Sequence, residues 1–590
     1  MSLDNLPVDE RERFRRRHSG SAHCYPPDVM GETPMPLALS SLPPVNGSGL
    51  AGAPPIQVNR AGRRGPARSP LLPNLRFRLP PMQSITRRDF MKTTAASAAV
   101  LAAAPWSRLG AADSAAPAPG YFQREFGITD ELCRKVLARA LAKGGDFADL
   151  YFEHTISNWV ALEDGKVNRA YGDVALGVGI RTVKGDQVGY GFTQELSEAS
   201  MLAAAAIAAT IADAAPSAPA GQFAALALAD RYPLPRLFTS VPLDAKVPLV
   251  QAVNDRCFAL SPLVVKVNAT FHDQQKRILI VCSDGTKAED LLPRSYLGAT
   301  VTGEKNGRHE RASWNRGGRL GFAAYTPEIV EEIARTPVNR TLALFDAVQP
   351  PAGEMPVVLG PGITGILLHE AIGHGMEADF NRKKTSTYST MIGKKVADPA
   401  VTIIDDATNP GQLGSINVDD EGTPGRKTTL VENGILTSYM HDKISAKFYG
   451  VAPTGNGRRE SYQHYIMPRM RNTYMLSGPA TPEDIIRSVA KGIYVEDVGN
   501  GQVNIGEGDF AFYVTQGRLI EGGKLTAPIK DINIMGNGPK MLTNVTMVAS
   551  DLAMYHGGAG ACGKNGQSVP VGFGLPTVLV KSMTVGGSKA

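Results

Sequence analysis

The sequence predicts an α+β fold: an N-terminal mixed α/β domain with antiparallel strands, then a C-terminal, mostly β domain carrying one helix, to which two candidate metal ligands belong. Three patterns predict it. A capped amphipathic helix is followed by short Val, Ile and Tyr runs broken by polar-Gly turns. Residues 263–322 return to strand and turn alternation, which fits an antiparallel meander better than parallel crossovers. Beyond residue 350 glycine becomes frequent, and Asn-Gly and Gly-Gly turns separate many short strands.

Residues 1–81 lie outside this fold. Thirteen of the 42 prolines precede residue 81, among Ser, Gly and Arg and without a sustained apolar period, so the stretch reads as disordered or untranslated. Residues 82–118 have the organisation of an export signal. The n-region Thr86–Lys92 (TRRDFMK) matches the twin-arginine pattern, the apolar run Thr94–Ala104 follows, and small residues near Ala112 and Ala116-Pro117-Ala118 offer a cleavage site. That run is too short to span a bilayer. Met82, five residues before the arginine pair, is the expected start of translation, and the mature chain is expected to begin near Asp113 or Pro119 and to be periplasmic. The net charge of +6 comes entirely from these leading segments, which together carry +7. The remaining chain nets −1, with no electrostatic basis for a nucleic-acid partner or a charged substrate.

The first domain spans 119–345. Thr129 reads as an N-cap, with Asp130 and Glu131 in the first turn and an apolar stripe through Leu132, Val136, Leu137, Ala140 and Leu141 that Gly144-Gly145 ends. Hairpin strands follow in ADLYFEH, NWVALEDGKVNRAYG and LGVGIRTVKGDQVGYGFT, and then an Ala-rich helix from about Ser197 to Ala214. The adjacent prolines in DAVQPPAGEMP mark a linker, so the second domain spans 346–590. Its helix is expected from Pro361 to about Ala378, among strands such as VTIIDD, TTLVENGILTSYM, GDFAFYVTQGRLIEGGKL and PTVLVKSMTV.

The chemistry concentrates on that helix, in His369, Glu370 and His374. In the HExxH zinc motif two histidines four apart lie about 40° apart around a helix and reach one ion. Here they are five apart, about 140° on a regular helix, so their rings would diverge. Gly373 and Gly375 flank His374, and a π-type bulge or an early helix end there would restore convergence. A hydrolytic zinc site normally takes three protein ligands. Cys562, in the Gly-rich loop YHGGAGACGKNGQSVP, is a candidate third ligand or a buried loop cysteine. Cys133, Cys257 and Cys282 sit in apolar surroundings and read as core, and Cys24 lies in the extension. Arg458, Arg459, His464 and Arg469 are candidate oxyanion or substrate contacts by residue type, with surface or structural pairing as the alternative. His441 reads as structural, and His154, His272 and His309 have no ligand-like neighbours.

Five ordered blocks, HEAIGHGMEADFNRK, DDEGTPGRKTTLVENGILTSYMHDK, PTGNGRRESY, PRMRNTYML and CGKNGQSVPVGFGLPTVLVKSMTVGG, resemble the TldD/PmbA metalloprotease family, specifically its catalytic TldD branch. The resemblance is dense over 350–590 and looser over 120–345. It implies zinc held by His369, His374 and Cys562, with Glu370 as catalytic acid/base, and an exported metallopeptidase acting on unfolded peptides. It also implies a homodimer, or a heterodimer with a PmbA-like noncatalytic paralogue, and no membrane span in the mature chain. A peptide-binding or assembly subunit with a structural metal site is the competing reading.

Overall fold

The computed structural model describes residues 120–587, apart from 505 and 559, together with the short strand Ala22–Cys24, which pairs antiparallel with Lys491–Asn504. The export signal and its cleavage site lie outside the described residues.

The first helix forms where its cap and stripe predict. It runs Asp130–Ala140, Thr129 Oγ1 accepts from the Leu132 N–H at 3.2 Å, and Cys133, Val136, Leu137 and Ala140 are buried. Five long strands then order as Gln187–Thr193, Lys166–Lys184, Phe147–Glu163, Val264–Cys282 and Thr286–Lys305, with Arg308–Gly318 paired on the last, all antiparallel. The separate runs expected from the sequence are continuous strands of 17 and 19 residues, paired with one another from Phe147 opposite Val183 to Glu163 opposite Lys166. The Ala-rich helix is shorter than expected, Glu198–Ala208 with a 3-10 turn to Ile211, and starts at a Ser197 N-cap. It packs with the first helix on one end of a sheet face, and the helices Val247–Leu260 and Pro327–Leu344 cover the other end of that face.

The C-terminal region surrounds its motif helix with two sheets. In one, Lys491–Asn504, Gly353–Leu359, Val578–Gly587, Ile532–Asn537 and Asp509–Glu521 pair in sequence, and the pairing of Asp509–Glu521 back onto Lys491–Asn504 closes the path. The other runs from Ile435–Leu436 through Lys427–Glu432, Ile403–Asp406, Asn472–Met475 and Gly572–Leu575 to Ala553–Met554. Leu367, Leu368, Ala371, Ile372 and Met376 of the helix share one core with Val357, Val495 and Phe512 of the first sheet and Ile403, Leu430 and Met475 of the second. The expected turns are present: Asn433-Gly434 and Gly522-Gly523 take positive φ and join tight hairpins.

Charged groups as well as apolar ones join the two regions. Arg181 bridges Asp149 at 2.6 Å and Glu421 at 2.8 Å, while Arg459 reaches the other oxygen of Asp149 at 3.0 Å, all fully buried. Such a network is costly to desolvate and more costly to break, since removing one member strands its partners. Beside it, Asp419 accepts backbone N–H bonds from Glu421, Thr423 and Gly457 at 2.8–3.0 Å. Burial, reinforced by the Glu421 charge, nevertheless pushes its carboxyl up to about 8. A carboxyl raised on folding contributes stability that is complete below its unfolded pKa and is lost as pH rises through about 8. The unfolding free energy of the wild type, taken relative to that of Asp419→Asn, should therefore fall between pH 5 and 8, by at most about 1.4 kcal/mol per unit. Denaturant titrations of both chains across that range check it, and parallel pH profiles would contradict it.

Candidate metal centre

The motif helix is not a regular α-helix. One α-turn, Gly365–Leu368, passes into a π-helical turn, His369–Gly373, and then a 3-10 turn, His374–Met376, before a separate short helix, Ala378–Arg382. The continuous helix expected from Pro361 to Ala378 is thus interrupted, and the interruption falls on the two histidines. The His374 N–H bonds to the His369 carbonyl, so the residues five apart that a regular helix would separate stack one turn apart. Their rings lie edge to face at 5.1 Å.

Glycines make room for this turn. A Cβ on Gly373 would stand 2.1 Å from Met470 Sδ, and one on Gly365 would stand 2.7 Å from the Gly574 backbone. The turn therefore packs directly on the strand Gly572–Leu575. Cys562 arrives from a β-hairpin, Ala561–Lys564 with Gln567–Pro570, turned at Asn565-Gly566 with both φ positive. The expected Gly-rich loop is a strand at the cysteine itself, because the Asn-Gly turn sets its register.

The donor atoms of His369, His374 and Cys562 all lie within 4.8 Å of one another, and the three side chains are fully buried. Cys562 Sγ is 3.3 Å from His374 Nε2. Neither ring nitrogen of His369 has a hydrogen-bond partner among the described residues. A buried imidazole without partners is costly unless another group completes it, and two imidazoles with a thiolate are ligands that suit zinc. The residues fit a metal ion. Glu370 is buried on the same turn.

A second layer of charge surrounds the donors. His374 Nδ1 is 3.0 Å from Glu377 Oε2, and the same oxygen lies 3.0 Å from Lys564 Nζ, which also pairs with Asp379 at 2.7 Å. Burial would raise the Glu377 carboxyl, but Lys564 and His374 outweigh it and hold it below its usual value. Arg469 Nη2 donates to the Cys562 carbonyl and Nε lies 4.0 Å from Glu377. Arg469 is thus placed beside the donor set, fixing its backbone. Arg458 donates to the Met470 and Pro570 carbonyls at 2.6 and 2.8 Å, Arg459 belongs to the buried network at the region boundary, and His464 pairs with Ser461 Oγ at 2.9 Å. His441 is buried just before the helix Lys443–Tyr449, and Cys133, Cys257 and Cys282 are buried free thiols. Sequence reasoning missed Glu377 and Lys564. Each had a signal: Glu377 follows His374 by one short turn, and Lys564 follows Cys562 by two, the spacing that puts both on one face of a strand.

Two histidines and a carboxylate thus lie on one turn and are met by a distant thiol, a donor set that could hold a metal ion. The comparisons give the family. Residues 148–214, 236–345 and 352–587 match, in order, PmbA/TldA metallopeptidase domain 1, the central domain and the C-terminal domain, and the chain belongs to this TldD/PmbA family. It is 40% identical to a metalloprotease TldD homolog of Haemophilus influenzae over 75% of this chain and 93% of that protein. It is 37% identical to a zinc metalloprotease TldD homolog of Saccharolobus solfataricus over 40% of this chain and 53% of that one. The fold is that of TldE from Thermococcus kodakarensis, with a TM-score of 0.63 at 19% identity, covering 77% of this chain and 99% of that one.

Glu377 stands where a carboxylate would orient a metal-binding imidazole. Such partners typically change metal affinity about 10- to 100-fold. Glu377→Gln should weaken zinc retention within that range while the folded circular dichroism spectrum is kept, as measured by competition with a chromogenic chelator. Unchanged retention would show that the His374 ring is held by packing alone.

Proposed function

We propose that the chain is an exported zinc metallopeptidase that hydrolyses peptide bonds in unfolded peptides or proteins. The observation that carries this reading is the convergence of His369, His374 and Cys562 on one buried point, with Glu370 on the turn that brings the histidines together. These three side chains would hold the ion, and Glu370 is the general base. A bound zinc supplies Lewis acidity, lowering the pKa of a water toward neutrality and polarising a carbonyl. Glu370 accepts the proton of the attacking water and returns it to the leaving amine, so no proton is left over when the C–N bond breaks. Glu377, Lys564 and Arg469 keep the donors in place.

Substrate recognition rests mainly on the peptide backbone, since a body with a net charge of −1 has no field to select charged side chains. An extended chain can add to a strand edge, which a compact native domain cannot offer. Membership of the TldD/PmbA family supports a paired assembly, as a homodimer or with a PmbA-like noncatalytic paralogue. The TRRDFMK block supports twin-arginine export to the periplasm. No helix among the described residues is long and apolar enough to cross a membrane.

One experiment tests site and substrate together. One protein, in native and unfolded form, is incubated with the wild type, Glu370→Gln and Cys562→Ala, and zinc content and cleavage are measured. The wild type should cleave the unfolded form at least about tenfold faster. Glu370→Gln should keep its zinc and lose about 100- to 10,000-fold in rate, the range a general base supplies. Cys562→Ala should lose zinc. Full zinc and activity in Cys562→Ala would place the third ligand elsewhere, and full activity in Glu370→Gln would remove it as the base.

Export has its own test. With Arg87 and Arg88 both replaced by Lys, fractionation should find the protein retained in the cytoplasm. Unchanged export would rule out the twin-arginine route.

A further inference from the structure

The long sheet of the first region has two unlike faces. One is covered by helices. At one end, the other face packs Tyr151, Ile278 and Ile280 against Ile416, Val418 and Tyr462 of the C-terminal region. Further along, that same face is hollowed. Strand alternation places Trp159, His272, Tyr296, Gly298 and Asn315 side by side on it, with Trp159 opposite His272, His272 opposite Tyr296, and Gly298 opposite Asn315. Gly298 contributes no side chain, and a cavity of about 170 Å³ results, lined by Trp159, Tyr296, Asn268, Thr270 and Asn315 among others.

The lining specifies a ligand chemistry. A cavity of about 150 Å³ admits a benzene ring, so this one has room for a single aromatic side chain. Its aromatic wall is already ordered: the Trp159 ring lies 5.5 Å from His272 and 6.0 Å from Tyr296, in tilted and edge-on geometry. Burial, with Arg294 and Lys246 nearby, holds His272 down to about 3, so the ring beneath the wall is neutral. Among the described residues no acid lines the cavity, and exposed Arg311 is the one cation that does. Asn268 Oδ1 is buried without a hydrogen-bond partner among the described residues, an acceptor that a peptide N–H can satisfy.

The cavity wall leads to the metal centre. Asn315 Nδ2 donates to Tyr555 Oη at 3.2 Å, and Asn315 Oδ1 accepts from the Gly558 N–H at 3.1 Å. Tyr555 stacks on Phe573 with ring centres 4.9 Å apart, and Phe573 lies 6.4 Å from the His369 ring.

We propose that this cavity is a substrate subsite that takes an aromatic side chain of an extended peptide, at a position away from the bond cleaved. The proposal rests on the metallopeptidase reading and adds a side-chain preference to backbone capture. Trp159 and Tyr296 stack on the ring, and Asn268 takes a backbone N–H of the same segment.

The test separates binding from cleavage. Two fluorescein-labelled twelve-residue peptides, identical except for Phe or Ala at one position, are titrated into zinc-loaded full-length Glu370→Gln and read by anisotropy. The Phe peptide should bind about tenfold tighter. Adding Trp159→Ala to that chain, or Thr270→Leu to fill the cavity from its wall without removing a core ring, should bring the two affinities within about twofold. Equal affinities in the parent chain, or a preference that survives both substitutions, would overturn the proposal. The enzyme with Glu370 intact then separates the two readings. Peptide cleavage without a Phe preference leaves the metallopeptidase reading standing and the subsite overturned. A Phe preference sensitive to Trp159 but with no cleavage of either peptide establishes the subsite and ends the peptidase reading.

Discussion

The centre depends on a spacing. Two histidines five residues apart cannot face one point on a regular helix, and the chain meets this constraint with a π-helical turn from His369 to Gly373. Such a turn gives up α-helical hydrogen bonds and is kept only when its surroundings impose it. Here they do. Gly365 lets the turn press against Gly574, Gly373 leaves room for Met470, and Gly538 approaches the Ala371 carbonyl, where a Cβ would come within 2.0 Å. Two sheets then bury the whole segment in one core.

The same constraint explains the charges around the donors. A thiol and two imidazoles in a water-poor core need neighbours that fix their orientation. Glu377 holds His374 through Nδ1, leaving Nε2 toward Cys562, and Lys564 balances the Glu377 charge from two residues along the Cys562 strand. The hairpin therefore delivers a donor and a counter-charge together. At the region boundary, Arg181, Arg459, Asp149 and Glu421 fix the two regions against one another, and Asn315 reaches across from the first region to Tyr555, two ring contacts from His369.

Much of this was legible in the sequence because it is local. Thr129 and Ser197 announce their helices as caps, Asn433-Gly434 and Gly522-Gly523 announce their hairpins, and the five-residue spacing with its flanking glycines already demands a widened turn. What was not legible is relational. The helix Pro327–Leu344 carries Pro337 in its interior, which reads locally as a break, yet the helix continues through it and packs Ile333, Ala334 and Val338 into the core with the sheet. The Cys562 segment reads as a loop because glycines hide a two-residue alternation that only the paired strand Gln567–Pro570 completes. Arg458 and Arg459 carry the charge an oxyanion contact needs, but their partners come from segments about 110 and 310 residues away, which composition cannot show.

The central claim is that one ion is held by two imidazoles and one thiolate from His369, His374 and Cys562. X-ray absorption at the zinc edge of the loaded protein tests it most directly. The account predicts one sulfur at about 2.3 Å and two imidazole nitrogens at about 2.0–2.1 Å, with the sulfur shell absent in Cys562→Ser. A zinc shell of nitrogen and oxygen alone in the unsubstituted protein would contradict it.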